Sequence, residues 1–276
     1  LLDVINNPSE IEVESHELRL TGSSDSFDWV IGAYIFEENA IESIDVPIFR
    51  GVLPPPATLW PVFYVPGLAD IVLGTQAYGS RNQGYNVTNE NDAFYAEGTY
   101  QISDQLDLTV GVRRTNDDRY FERWQTLYGG AFDPTYFCPG MPSAEVAPGA
   151  VVPLSDRCTQ TVSYSETTPR AILSYQYDDD TLLYTSYSKG YSSGGFNQDT
   201  RMRPFLPEIS DNIEIGFKTT LRDGKVRLNG TYFNNSYENQ QLTVGRLVDG
   251  QPTADLINAQ EATLNGLELE LMAQLS

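Results

Sequence analysis

One pattern limits this chain more than any other: apolar and polar residues alternate with period two over stretches of about ten residues. Leu106, Leu108, Val110 and Val112 alternate with Asp107, Thr109, Gly111 and Arg113. The same rule places Phe27, Trp29, Ile31, Ala33 and Ile35 on one face of an earlier segment. Ile213, Ile215, Phe217, Thr219 and Leu221 oppose Glu214, Gly216 and Lys218, and Leu267, Leu269 and Leu271 oppose Glu268 and Glu270. A helix would scatter these leucines around its cylinder, whereas a strand separates them onto one face. No stretch approaches the roughly 18 consecutive apolar residues of a membrane helix. Barrel strands, which alternate, escape that test.

The links between these segments are of two kinds. Short ones, at 22–26, 103–105, 178–181 and 222–224, carry turn-forming Gly, Asp or Ser. Long ones run approximately over 38–91, 120–163, 196–207 and 239–260. Strict alternation of the two predicts an up-and-down, all-β antiparallel transmembrane barrel segment, with short periplasmic turns and long extracellular loops. About ten strands are expected, at 15–22, 26–37, 92–103, 106–119, 164–177, 181–191, 208–221, 225–238, 240–247 and 261–275, with boundaries good to a few residues.

The formal charge of -21 from 17 basic and 38 acidic side chains disfavours nucleic acid as a partner. Catalysis has little to stand on. His16 is the only histidine, and no Gly-x-Ser-x-Gly elbow occurs. Asp178, Asp179 and Asp180 sit where a turn is needed and lack a calcium-loop spacing. Gly190, Gly194 and Gly195 lack the Lys-Ser/Thr of a phosphate cradle and fit a bend or a close approach of another segment. No catalytic, cofactor-binding or metal-ligating residue is therefore assigned. Glu268, Glu270 and Arg113 are read as facing the barrel lumen, while Arg114 faces outward, within reach of lipopolysaccharide phosphates. Cys138 and Cys158, 20 positions apart with no histidine nearby, are a disulfide candidate rather than a zinc site. Aromatic and basic loop residues Trp60, Phe63, Tyr64, Tyr78, Arg81, Trp124 and Tyr128 are the candidate ligand contacts.

Three ordered motifs carry a family resemblance. Residues 187–197 read YSKGYSSGGFN, residues 207–218 read PEISDNIEIGFK, and residues 258–270 read NAQEATLNGLELE. Each resembles a recurrent run of TonB-dependent outer-membrane receptors, as do 15–20 and 93–113. The resemblance implies one partial receptor barrel domain over 1–276, both ends being cut points, that lacks the plug, the TonB box and the last strands. It implies a Gram-negative outer membrane and contact with its lipid and lipopolysaccharide. It also implies TonB-energised uptake of a scarce siderophore, glycan or cobalamin-like ligand, with the TonB complex engaged through the plug and box. A passive porin-like channel and a soluble secreted β-rich carbohydrate-binding protein or hydrolase are the alternatives.

Overall fold

A computed structural model of the chain describes residues 9–47, 80–128, 158–197, 204–248 and 251–274. They form nine strands: β1 (Ser9–Ser23), β2 (Phe27–Pro47), β3 (Ser80–Ser103), β4 (Leu106–Tyr128), β5 (Cys158–Asp178), β6 (Thr181–Ser192), β7 (Glu208–Leu221), β8 (Val226–Val248) and β9 (Gln251–Ala273). All belong to one antiparallel sheet in which each strand pairs with its chain neighbour, in the order β1 to β9. No helix and no second sheet occur among the described residues. A sandwich, which would cover one sheet with another, is thereby excluded for them.

Register separates two faces. Leu20 pairs with Ile31, Ile31 with Ala96, Ala96 with Val112, and Val112 with Pro169. Farther along, Thr185, Ile215, Tyr232 and Leu267 stand in one row. These side chains are solvent-exposed in the isolated sheet, Ile215 at 60% and Leu267 at 77%. On β2 the apolar row runs from Phe27 to Ile35, eight residue steps and so about 26 Å along the strand. That matches the roughly 25 Å apolar band of an outer-membrane barrel. Trp29, Tyr100, Tyr175 and Tyr177 cluster at its lower margin near the tight turns, as an aromatic girdle does.

Glycines recur opposite aromatic residues. A Cβ at Gly32 would lie 2.3 Å from the ring of Tyr95, one at Gly216 2.6 Å from Tyr184, and one at Gly230 2.4 Å from Phe217. In each pair the aromatic ring packs against its cross-strand glycine and covers its backbone. The turn between β7 and β8 is tight because Arg222, Asp223 and Gly224 all adopt positive φ (56°, 52° and 88°).

Two expectations are corrected. The described residues form nine strands, since 225–238 and 240–247 belong to one strand, β8, bent where Asn239 takes φ 55°. The strands reach well into the links expected over 38–91 and 120–163, where β2 runs to Pro47, β3 starts at Ser80, β4 runs to Tyr128 and β5 starts at Cys158, and they take up nearly all of 239–260. The β8–β9 ladder runs to Val248 and Gln251. Long and short links therefore do not alternate to the end of the chain. The ladders continue above the apolar band because backbone pairing needs no apolar side chains once an adjacent strand is in place.

Candidate functional site

The polar face holds two groups of interacting side chains. Level with the apolar band, Arg113 lies over the rings of Tyr34 and Tyr95, 5.7 and 5.9 Å from their centroids. It also donates to the Thr115 hydroxyl at 3.1 Å. Tyr95 donates to Glu17 at 2.6 Å, and Arg170 meets Glu97 at 3.3 Å. Glu268 pairs with Thr231 and Glu270 with Asn229, whose amide donates to it at 2.8 Å. Lys218 lies over Tyr184 on the same side. Arg114 points the other way, donating to Thr167 at 2.9 Å and to Ser165.

Above the band, the network centres on Asp117, which is only 5% exposed. Its carboxylate accepts from the Asn91 amide at 2.9 Å and the Tyr191 hydroxyl at 2.6 Å, with Arg119 at 3.9 Å. Arg119 in turn donates to Ser193 at 3.0 Å. Nearby, Lys189 is paired with Glu166 at 2.6 Å. A buried carboxylate that loses a donor retains its desolvation cost. Tyr191→Phe should therefore lower stability by about 1.5–3 kcal/mol. Urea unfolding of the refolded full-length protein checks this, and an unchanged midpoint would contradict the importance of that bond.

Beyond β6 the chain folds into two short arms, 193–197 and 204–207. Gly195 and Phe205 join them by a two-way backbone bridge at 3.1 and 2.9 Å. The approach is close: a Cβ at Gly194 would sit 2.4 Å from the Phe205 carbonyl oxygen and 2.6 Å from the Tyr164 ring. Tyr164 donates to that same carbonyl at 3.0 Å. Phe196 stacks on Phe121 of β4 at 5.4 Å, and Phe121 on Tyr85 at 6.3 Å. Burial, with a hydrogen bond to Glu42, pushes the Tyr85 phenol up to about 12. Tyr85 lies nine positions above Phe94, clear of the band, and remains a protonated donor at neutral pH.

On the opposite flank the arms are held by carboxamides. Asn197, 6% exposed, donates to the Leu256 carbonyl at 2.9 Å and accepts from the Leu256 N–H at 2.8 Å. Asn258 accepts from the Leu206 N–H at 2.7 Å and donates to the carbonyls of Leu206 and Asn239 at 2.9 and 2.8 Å. Gln241 donates to the carbonyls of Ser193 and Leu206 at 3.0 and 3.1 Å. Its own N–H donates to Glu208 at 2.7 Å. The three motifs noted in the sequence thus meet here: Gly194 to Asn197 of the first, Glu208 of the second and Asn258 of the third.

Of the candidate ligand contacts, Trp60, Phe63, Tyr64 and Tyr78 lie outside the described residues. Arg81 and Tyr128 occupy facing upper ends of β3 and β4, Arg81 paired with Leu127 and Tyr128 with Ser80. Trp124 folds over Gly84, where a Cβ would lie 2.3 Å from its ring. Cys158 opens β5 opposite Arg123 and is disulfide-bonded; Cys138, the only other cysteine, lies outside the described residues. His16 bonds to Glu14 at 2.8 Å, both exposed. Asp178 caps its own turn by accepting from the Asp180 N–H at 3.0 Å. Among the described residues no cluster of three or more His, Cys, Asp or Glu side chains could hold a metal ion. Sequence reasoning missed Asn197, Gln241 and Asn258. Asn197 and Asn258 do lie inside the quoted motifs, which is the one signal that could have drawn attention to them.

Comparison with known proteins is consistent with this geometry. Residues 58–276 match the family described as TonB dependent receptor-like, beta-barrel. The chain is similar to a pesticin receptor of Yersinia enterocolitica, 25% identical over 220 residues covering 73% of this chain and 28% of that protein. It is also similar to a ferric-pyoverdine 358 receptor of Pseudomonas putida, 23% identical over 164 residues covering 59% and 16%. The chain thus spans less than a third of the length of these relatives. Its fold superposes on the ferric yersiniabactin uptake receptor FyuA from Yersinia pestis with TM-score 0.62 at 19% identity, over 98% of this chain and 34% of that one. The siderophore receptor PiuA from Acinetobacter baumannii gives TM-score 0.62 at 16% identity, over 98% and 37%. With a lipid-matched apolar band on one face and a hydrogen-bonded polar face on the other, the chain belongs to the TonB-dependent receptor-like β-barrel family and forms part of the wall of a Gram-negative outer-membrane barrel.

Proposed function

We propose that this chain supplies wall and outer vestibule to a receptor that takes up a scarce nutrient, most closely a ferric siderophore, across the outer membrane at the expense of TonB coupling. The observation that carries the reading is the family match over 58–276. The names of its relatives, which include receptors for ferric pyoverdine and ferric yersiniabactin, support the choice of ligand class. In this reading residues 1–276 are one partial barrel domain. The upper ends of β3 and β4, with Arg81, Trp124 and Tyr128, join Trp60, Phe63, Tyr64 and Tyr78 in ligand capture. Arg113, Glu268 and Glu270 line the lumen. Arg114 meets lipopolysaccharide, and a Cys138–Cys158 disulfide ties down the segment before β5. Binding and transport, not catalysis, are the chemistry. TonB acts through a plug and TonB box of the kind such receptors carry.

The test is uptake of radiolabelled ferric chelates by iron-starved cells that express the full-length receptor and make no siderophore of their own. For at least one chelate, uptake should fall to background when TonB is deleted. Uptake that persists without TonB would replace this reading with passive, porin-like passage. Failure with every ferric chelate, but success with a glycan or cobalamin, would move the ligand class and leave TonB coupling in place.

A further inference from the structure

Above the apolar band the β8 edge of the β8–β9 hairpin parts from β7. The β7–β8 ladder ends at Ile209 and Glu238, and Asn239 turns left-handed. The β8–β9 ladder meanwhile continues from Gln240 and Ala259 to Val248 and Gln251. Along its β8 edge this overhang has no paired strand to fix its tilt. In place of β7 it meets the two arms, 193–197 and 204–207.

We infer that the paired arms are a brace, and that Asn197, Gln241 and Asn258 are positioning residues that hold the outer half of the β8–β9 hairpin at a fixed tilt to β4 and β5. A carboxamide carries a donor and an acceptor on one planar group. It can therefore engage both the N–H and the C=O of one backbone residue, as a neighbouring strand does. Asn197 does this to Leu256 and Asn258 to Leu206. A carboxylate of the same shape could accept from the N–H but not donate to the C=O. The other end of the brace rests on β4 and β5, where Phe196 packs on Phe121 and Tyr164 bonds to Phe205. The bridge between Gly195 and Phe205 makes one unit of the two arms. A continuous chain of contacts therefore runs from β4 and β5 through the arms to β9. This inference stands whether or not the barrel takes up a siderophore.

The experiment is a spin-label distance measurement on the full-length protein in outer membranes, with labels at Thr161→Cys on β5 and Gly245→Cys on β8. Both positions are exposed, and nothing lies within 4 Å of a Cβ at Gly245. Asn197→Asp combined with Asn258→Asp should broaden the distance distribution about twofold, as expected of an element released to local motion. Asn265→Asp, an exposed carboxamide on β9 outside the brace, should leave it unchanged. Folding is verified by resistance to SDS without heating. If the double variant does not assemble, Asn197→Asp alone supplies the reading. A parental distribution in an assembled brace variant, or equal broadening in Asn265→Asp, overturns the brace.

Discussion

Replacing Ile215 by arginine lowers the stability of the folded barrel by about 2–4 kcal/mol, while arginine at the adjacent Glu214 costs under about 1 kcal/mol. The two positions are consecutive on β7 and differ only in which way they point. Ile215 stands in the row of Thr185, Tyr232 and Leu267, in the middle of the apolar band. Glu214 faces Ser186 and Phe233 on the polar side, where Asn212 already donates to it at 2.8 Å. A guanidinium at 215 would lie in hydrocarbon with no partner strand facing it. At 214 it reaches the water-accessible interior. Urea titration of the full-length protein in lipid vesicles measures both costs, with Ile215→Leu as the conservative control. Equal costs at 214 and 215 would mean that the apolar face does not meet lipid.

Gly194→Ala is expected to destabilise by about 3 kcal/mol, the upper end of what overpacking does. Gly194 is not among the residues with positive φ, so backbone conformation is not what reserves the position for glycine. Space is. The nearest obstacle to a Cβ is the Phe205 carbonyl oxygen, 2.4 Å away and itself fixed by the bridge to Gly195. The Tyr164 ring, at 2.6 Å, blocks the other direction of escape. Gly245→Ala, with open space around it, should stay within about 0.5 kcal/mol of the parent. The same vesicle titration reads both, and a neutral Gly194→Ala would show that the arms can separate at little cost.

Within the membrane the sequence was an adequate guide, because lipid on one side and a polar interior on the other write the strand period into the residues. Leu106 to Arg113 and Ile213 to Leu221 show it plainly, and the turns at 103–105 and 222–224 were legible from their turn residues. Above the band the same backbone ladder persists without that record. In 80–90 and 120–128 both faces carry polar or mixed residues, so strand and loop look alike in the sequence. Asn239 misled for a related reason: a left-handed residue reads as the end of a strand, yet here it bends one that continues. The contacts that assemble the upper site were beyond sequence reasoning of this kind. Asn197 and Leu256 are 59 positions apart, and an asparagine that bonds to a backbone is chemically indistinguishable from one in solvent. The motifs marked the place, but only the fold shows that they meet.

The outward reach of the ladders has a consequence for how this surface can change over time. β4 continues sixteen residue steps past Val112, some 50 Å of strand at about 3.3 Å per residue. A loop exposed to phage, bacteriocin or antibody can drift at every position and in length. A ladder cannot: an inserted residue shifts the register and swaps the faces of everything beyond it. Escape by substitution on the outer wall is therefore open to alternate positions only, such as Asp118, while Asp117 and Arg119 between them are held by the network inside. The outer wall of these strands is thus tied, residue by residue, to the side that no antibody sees.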